Sequence, residues 1–165
     1  MSHETDKTEK IGLRPVQDVD EALLYRLYAS TRMDELAQVP WTEAQLDAFL
    51  KMQFDMQKRG YRMQFPAADH SIILSGEREI GRLLINRTDD ELLLVDITLL
   101  PEFRGRGIGG SLLRELQNEA TGEGKSVRLS VIPTNPARRL YERAGFSQVG
   151  ESGGLHLDML WQPQS

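Results

Sequence analysis

The chain contains no cysteine. Disulfides, thiolate metal sites and a cysteine nucleophile are excluded together. Histidine is scarce: His3, His70 and His156 lie far apart, with none of the close spacings of metal ligands, and no metal site is expected. No apolar run approaches the ~18 residues a membrane span needs, so no membrane partner is expected. The first residues, MSHETDKTEK, have no apolar signal core. They read as a short tail over 1–9 ahead of one domain over 10–165 in a cytoplasmic protein. Internal repeats, low-complexity tracts and linkers are lacking beyond that tail. Positive charge is also in short supply: the net charge of −5 argues against nucleic-acid binding.

What remains is an ordinary globular composition. The chain has 165 residues, of which 39% are hydrophobic and 27% charged, enough for one domain with a real core. The charge is uneven. Residues 1–99 carry 12 Lys and Arg against 18 Asp and Glu, while residues 100–145 carry 8 against 5. Chance scatter is one reading. The other is an anionic ligand held by the middle segment and a cationic one attracted by the rest.

Hydrophobic periodicity gives a mixed α/β order. IGLRP is a strand. Asp18 with Glu21 forms a capping box that opens a helix over DEALLYRLYASTRMDEL, with Leu23, Leu24, Leu27 and Tyr28 on one face. Thr42 and Gln45 form a second box, with Trp41 and Leu46 at the staple positions, ahead of TEAQLDAFLKMQFDMQKRG. Leu46, Phe49, Leu50 and Phe54 face inward on that helix, and Met52, Met56 and Met63 read as packing or groove lining. DHSIILSG, EIGRLLINRTD and ELLLVDITLL are three successive strands, with turns near Gly76 and Asp89–Asp90. A helix follows with Ile108, Leu112, Leu113 and Leu116 on one face, ending near Gly122 or Gly124. SVRLSVIPT is a strand, Asn135 an N-cap, Pro136 an N1 residue, and ARRLYERA a helix stopped by Gly145. FSQVGE and LHLDMLW close as a hairpin across Ser152-Gly153-Gly154. The order is β-α-α-β-β-β-α-β-α-β-β.

The stretch PEFRGRGIGGSLLREL, from Pro101, packs four glycines and three arginines into sixteen residues. As GxGxxG it suggests a dinucleotide fingerprint, which needs an acid about 20 residues on for the ribose. The next strand, SVRLSVIPT, carries none, and the motif follows a meander rather than heading a βαβ unit. Walker A fails because Gly110 is followed by Ser111 with no lysine. The third reading is a pyrophosphate on a helix N-terminus, approached by bare backbone N–H groups and by Arg104 and Arg106.

R-G-R-G-I-G, Arg104 to Gly109, resembles the Q/R-x-x-G-x-G/A signature of the GNAT superfamily of N-acetyltransferases. N-P-A-R-R-L-Y-E-R-A-G-F, Asn135 to Phe146, resembles the family's later helix, with Asn near its start and L-Y-x-x-x-G-F near its end. The two segments together resemble small bacterial members with unassigned substrates. The resemblance covers residues 11–160. It implies a mixed, mostly antiparallel sheet with helices on both faces, and acetyl-coenzyme A as cosubstrate. It also implies direct attack by a primary amine in a ternary complex. The acidic N-terminal region suggests a cationic acceptor. A homodimer is a state the resemblance allows. A non-catalytic module that binds or senses acyl-coenzyme A is the alternative, and a nucleotide-binding regulator would rest on GxGxxG alone.

The resemblance also assigns residues. Leu99 would offer its backbone N–H to the thioester end of the cofactor. Gly105, Gly107, Ile108, Gly109 and Gly110, with Arg104 and Arg106, would hold the pyrophosphate. Tyr141 is the candidate general acid; otherwise it is a packed tyrosine beside Leu140 and Ala144. Asn135 would cap the helix or meet pantetheine. It lies six residues before Tyr141 where many members have seven, the place of Thr134. No acid lies on the strand before Asn135. Asp96, which interrupts LLLVDITLL, is the candidate base; otherwise it is satisfied by structural hydrogen bonds or by Arg82. Tyr28, Arg32 and Glu35 would line the acceptor side or stand in solvent.

Overall fold

The computed structural model describes residues 10–152 and 155–164. The expected tail and the glycines of the last hairpin turn, Gly153 and Gly154, lie outside them. Seven strands form one sheet in the order β1-β2-β3-β4-β5-β7-β6. They are β1 (Ile11–Pro15), β2 (Asp69–Ser75), β3 (Arg78–Arg87), β4 (Glu91–Leu99), β5 (Ser126–Val131), β6 (Ser147–Ser152) and β7 (His156–Trp161). The helices are α1 (Glu21–Leu36), α2 (Glu43–Gln64), α3 (Ile108–Glu123) and α4 (Ala137–Arg143). Element order and type follow the sequence reading, with two added 3-10 turns at Asp18–Asp20 and Pro101–Phe103. The chain divides into two compact units, one of residues up to Leu83 with Thr98–Phe103, the other of Leu84–Ile97 and the residues from Arg104 on.

In the first unit, β1 runs antiparallel to β2 from Ile11↔Ser75 to Pro15↔Ser71. Leu24 and Leu27 of α1, Leu50 and Phe54 of α2, and Ile72, Ile73 and Ile80 of the strands are buried as its core. The start of α1 departs from expectation. The back-reaching acid is Asp20, whose carboxylate accepts from the Gln17 N–H at 2.7 Å, and the helix proper begins at Glu21. A tertiary partner decides this: Arg14 of β1 grips Asp20 with two hydrogen bonds of 2.8 and 2.7 Å. Asp20 is buried, at 4% exposure, and the guanidinium holds its carboxyl down at about 2.

The box at α2 forms as read. Gln45 N–H donates to Thr42 Oγ1 at 3.1 Å, and Thr42 N–H donates to Gln45 Oε1 at 2.9 Å. The Trp41 ring packs against that of Phe49, centroids 5.1 Å apart and planes tilted by 59°. The helix runs past Gly60 to Gln64, because one mid-helix glycine costs only about 1 kcal/mol. Met52, Met56 and Met63 are exposed rather than packed, Met63 at 85%.

In the second unit, β4 and β5 are parallel, and β5–β7 and β6–β7 are antiparallel. Leu92, Leu94, Val127, Leu129 and Met159 of the sheet are buried with Leu112, Leu113 and Leu116 of α3. Gly124, in the left-handed region at φ 68°, ends α3 as a C-terminal glycine should. β5 stops at Val131, short of the expected Thr134, because the chain turns there: Asn135 N–H donates to the Ile132 carbonyl at 2.9 Å.

Candidate active site

The parallel register of β4 and β5 covers four pairs, from Glu91↔Ser126 to Leu94↔Leu129. Beyond it β4 continues to Leu99, while β5 stays on β7 as far as Val131↔Leu157. Asp96 and Leu99 therefore lie on the stretch of β4 past its last register pair with β5. The burial alternation of the strand also lapses there, every residue from Val95 to Leu99 being half-buried. Gly81 of β3, which the sequence reading passed over, bears on the same end of β4. A Cβ on Gly81 would run into the Thr98 carbonyl oxygen and come within 2.9 Å of Leu99 Cδ2. Its signal was a glycine inside a strand pattern, which often marks close backbone approach.

The glycine loop follows. Phe103, buried at the end of its 3-10 turn, anchors the loop, and its N–H donates to the Leu100 carbonyl at 2.9 Å. Gly105 and Gly107 have φ of 74° and 82°, whereas Arg106 between them has negative φ, as every described non-glycine residue does. Alternation of this kind turns successive N–H groups toward a common concave side, a nest for an anion. Gly107 opens α3 without any side-chain cap, and the first turn of α3 holds no acid. Ser111 N–H to the Gly107 carbonyl, 3.0 Å, is the first helical bond. The N–H groups of Ile108, Gly109 and Gly110 precede it and have no acceptor within the helix, and the helix dipole reinforces their positive end. Arg104 and Arg106 are exposed beside them, while Ile108 is buried. The four glycines are not equivalent. Gly105 and Gly107 are required by φ, with open space where a Cβ would stand. At Gly109 and Gly110 a Cβ would make ordinary contact, 3.5 Å from the Leu140 side chain.

That Leu140 contact packs α4 against α3, and Gln117 Nε2 donating to the Ala144 carbonyl at 2.8 Å fixes the far end of α4. Gly145, at φ 98°, ends the helix as expected. Tyr141 is buried on α4, 7% exposed, with its ring 6.0 Å from that of Phe146. Burial first, and the negative charge of Asp96 second, push its phenol up to about 12. The two residues read as candidate acid and base are thus in electrostatic contact. Among the described residues the Tyr141 hydroxyl makes no hydrogen bond.

Asn135 stands one residue ahead of its expected place: α4 begins at Ala137, with Pro136 rather than Asn135 as its N-cap. Asn135 Oδ1 accepts from Ala137 N–H at 2.9 Å, and its carbonyl accepts from Arg138 N–H at 3.0 Å. The amide nitrogen faces no such demand. Asn135 and Thr134 both line an open hollow of about 530 Å³ beside the Pro133–Pro136 turn. Tyr141 is not among its lining residues, so the concave volume and the candidate acid are separate features of α4.

In the first unit, Tyr28, Arg32 and Glu35 come together along α1. Arg32 Nη1 donates to Tyr28 Oη at 2.9 Å and Arg32 Nε to Glu35 Oε2 at 3.2 Å. Among the described residues no group of three or more acidic or histidine side chains is arranged to hold a metal, and no helix is long and apolar enough to cross a membrane.

Residues 67–148 match the acetyltransferase (GNAT) domain, a span from β2 to β6 that includes the glycine loop and Tyr141. The [ribosomal protein bS18]-alanine N-acetyltransferase of Haemophilus influenzae is 33% identical over 78 residues, 47% of this chain and 53% of that protein. The thialysine N-epsilon-acetyltransferase of Bos taurus is 36% identical over 67 residues, 39% of each chain. The chain thus spans about half or less of the curated relatives it matches. The PaiA N-acetyltransferase of Thermoplasma acidophilum, solved in complex with coenzyme A, superposes with a TM-score of 0.69 at 18% identity, over 93% of this chain and 99% of that one. A strand that outruns its parallel neighbour and a glycine loop opening α3 lie within the matched span from β2 to β6: residues 67–148 of this chain are a GNAT acetyltransferase domain.

Proposed function

We propose that the protein moves an acetyl group from acetyl-coenzyme A to a primary amine by direct attack within a ternary complex. The observation that carries the reading is the loop Arg104–Gly110, with two left-handed glycines at the uncapped start of α3. It suits a pyrophosphate: open space stands where Cβ atoms of Gly105 and Gly107 would be, the first N–H groups of α3 have no acceptor within the helix, and the two arginines supply charge. The cosubstrate supplies an activated thioester. The names of the two curated relatives both describe acetylation of an amine, which supports nitrogen as the acceptor atom. The net −6 over residues 1–99 supports a cationic acceptor.

Each residue then has a task. Leu99 N–H, at the end of β4, orients the thioester carbonyl. Arg104, Arg106 and the backbone from Gly105 to Gly110 hold the pyrophosphate, and the amide of Asn135 meets pantetheine. Positioning of this kind can supply much of the barrier reduction by itself. Tyr141 faces the sulfur. A phenol at about 12 stays protonated at every physiological pH. A thiol ionises near 8.5, so full transfer of the Tyr141 proton to a free thiolate is uphill. Tyr141 therefore acts by donating a hydrogen bond to charge developing on sulfur, and Asp96 keeps that donor protonated. Asp96 is also the carboxylate we assign to the ammonium proton of the acceptor.

Thiol release from acetyl-coenzyme A across a panel of polyamines, lysine peptides and amino sugars tests the reading. Amine-dependent release supports it. Tight binding of acetyl-coenzyme A with no release on any amine favours a sensing module instead. Asp96→Asn separates the two roles of Asp96: loss of turnover at unchanged cofactor affinity marks the base, while near-normal turnover with a lowered Tyr141 phenol marks the charge alone.

A further inference from the structure

The start of β3 holds the far end of β4 and the turn that leads into the glycine loop. The Ile80 carbonyl accepts from Leu100 N–H at 2.8 Å. Gly81 leaves room for the Thr98 carbonyl oxygen and the Leu99 side chain, which a Cβ there would strike. Arg78, two residues before Ile80, lies with its Cζ 4.7 Å from the ring centroid of Phe103. Phe103 ends the 3-10 turn, precedes Arg104 and is buried, at 4% exposure. Arg78 itself is exposed, and among the described residues its guanidinium makes no hydrogen bond or ion pair. Its position over the ring is therefore set by the ring and not by a carboxylate.

We propose that Arg78 is a positioning residue for the pyrophosphate of the cosubstrate, acting through Phe103 on Arg104 and the glycine nest that follows. The proposal rests on the acetyl-coenzyme A reading and adds to it a residue from outside the loop. Gly105 and Gly107 give the backbone after Phe103 wide conformational freedom. A nest binds an anion well only when its N–H groups are already aimed, since ordering them on binding costs affinity. At its far end the loop is fixed by α3, where Ser111 N–H donates to the Gly107 carbonyl at 3.0 Å. At its near end the fixed point is Phe103, held by its N–H bond to the Leu100 carbonyl and by Arg78 over its ring. A guanidinium over an aromatic face gains cation–π attraction, and its aliphatic stem covers apolar surface. Without Arg78 the Phe103 ring loses part of its cover, and Arg104, one residue on, loses part of its footing.

The test measures the affinity of the full chain for acetyl-coenzyme A by calorimetric titration and for S-acetylpantetheine by competition against it. The variants are Arg78→Gln, Arg78→Lys, Phe103→Leu and Arg78→Gln/Phe103→Leu. S-acetylpantetheine carries the thioester arm and lacks the pyrophosphate. A general loosening of the site therefore weakens both ligands, and a misplaced loop weakens acetyl-coenzyme A alone. Arg78→Gln weakens acetyl-coenzyme A by about twofold to fivefold, the size of an exposed cation–π contact, and leaves S-acetylpantetheine unchanged. Arg78→Lys, which keeps the cation, recovers part of that loss. In the Phe103→Leu background Arg78→Gln has no further effect. Unchanged acetyl-coenzyme A affinity in Arg78→Gln, or equal losses for the two thioesters, overturns the proposal. The same loss from Arg78→Gln with and without the Phe103 ring overturns the route through Phe103, since the charge then acts on the phosphates directly. Failure of the wild type to bind acetyl-coenzyme A overturns the cofactor reading instead. Arg78 is exposed, and a thermal melt confirms the fold of its variants. If Phe103→Leu does not fold, the two thioesters compared across the Arg78 variants still decide the matter.

Discussion

Tyr25 and Tyr141 are both pushed up to about 12, each by burial first and by a nearby aspartate after it. Their surroundings differ in kind. The Tyr25 hydroxyl donates to Asp47 Oδ1 at 2.6 Å, with Lys51 Nζ 3.1 Å from the same carboxylate and 5.9 Å from the ring centroid. That donor is spent on joining α1 to α2. Tyr141 has a comparable pKa and no hydrogen bond among the described residues, so its donor is held in reserve. A perturbed phenol is therefore not by itself a catalytic mark.

The largest expected break in this comparison comes from Tyr141→Phe. It lowers kcat by about 100-fold or more while leaving acetyl-coenzyme A affinity and melting temperature nearly unchanged, since no internal hydrogen bond is lost. Steady-state kinetics with a parallel melt checks both halves. Alanine at Gly105 and Gly107 together weakens acetyl-coenzyme A binding by about tenfold or more, because both positions need φ near +80°. Calorimetry reads that loss. Tyr25→Phe does the reverse of Tyr141→Phe: it costs about 1 kcal/mol of stability, by chemical denaturation, and leaves kcat in place. A fall in kcat from Tyr25→Phe would erase the contrast.

Titration sharpens it further. Both folded phenols sit above their ordinary 10.0, so the native chain binds more protons than the unfolded chain between pH 10 and about 12. Stability is unaffected by these groups below pH 10 and declines as pH rises through that window. Asp96→Asn brings the Tyr141 phenol down and leaves Tyr25 where it was, as ultraviolet phenolate absorbance in each Tyr→Phe background would show. At the acid end the effect has the opposite sign. Asp20, lowered from 3.8 to about 2 by Arg14, contributes stability at pH 4 and above that fades as pH falls toward 2. Asp20→Asn flattens that part of the acid denaturation curve.

How far the sequence reached is plain at particular residues. Thr42 with Gln45, Gly124, Gly145 and the strand–loop–helix at Arg104 were legible because each depends on neighbours within a few positions: a cap, a left-handed φ or a nest is local chemistry. Asp20 was missed in favour of the pair Asp18 and Glu21 because its partner Arg14 acts from another element. Gly81 was passed over because the crowding that requires it comes from Thr98 and Leu99, a strand away in sequence. The pairing of Asp96 with Tyr141 was not visible either. Each was chosen on separate grounds, and only the fold puts one within electrostatic reach of the other. The hollow flanked by Arg138 and Arg139 is a shape, and a linear pattern carries no shape.

The central claim is that Arg104–Gly110 is built for the pyrophosphate of coenzyme A rather than for a dinucleotide. Calorimetric titration of the wild-type chain with acetyl-coenzyme A and, separately, with NAD tests it most directly. The expected result is saturable one-to-one binding of acetyl-coenzyme A, weakened by alanine at Gly105 and Gly107, and no saturable heat with NAD. Saturable NAD binding with none for acetyl-coenzyme A would contradict the account.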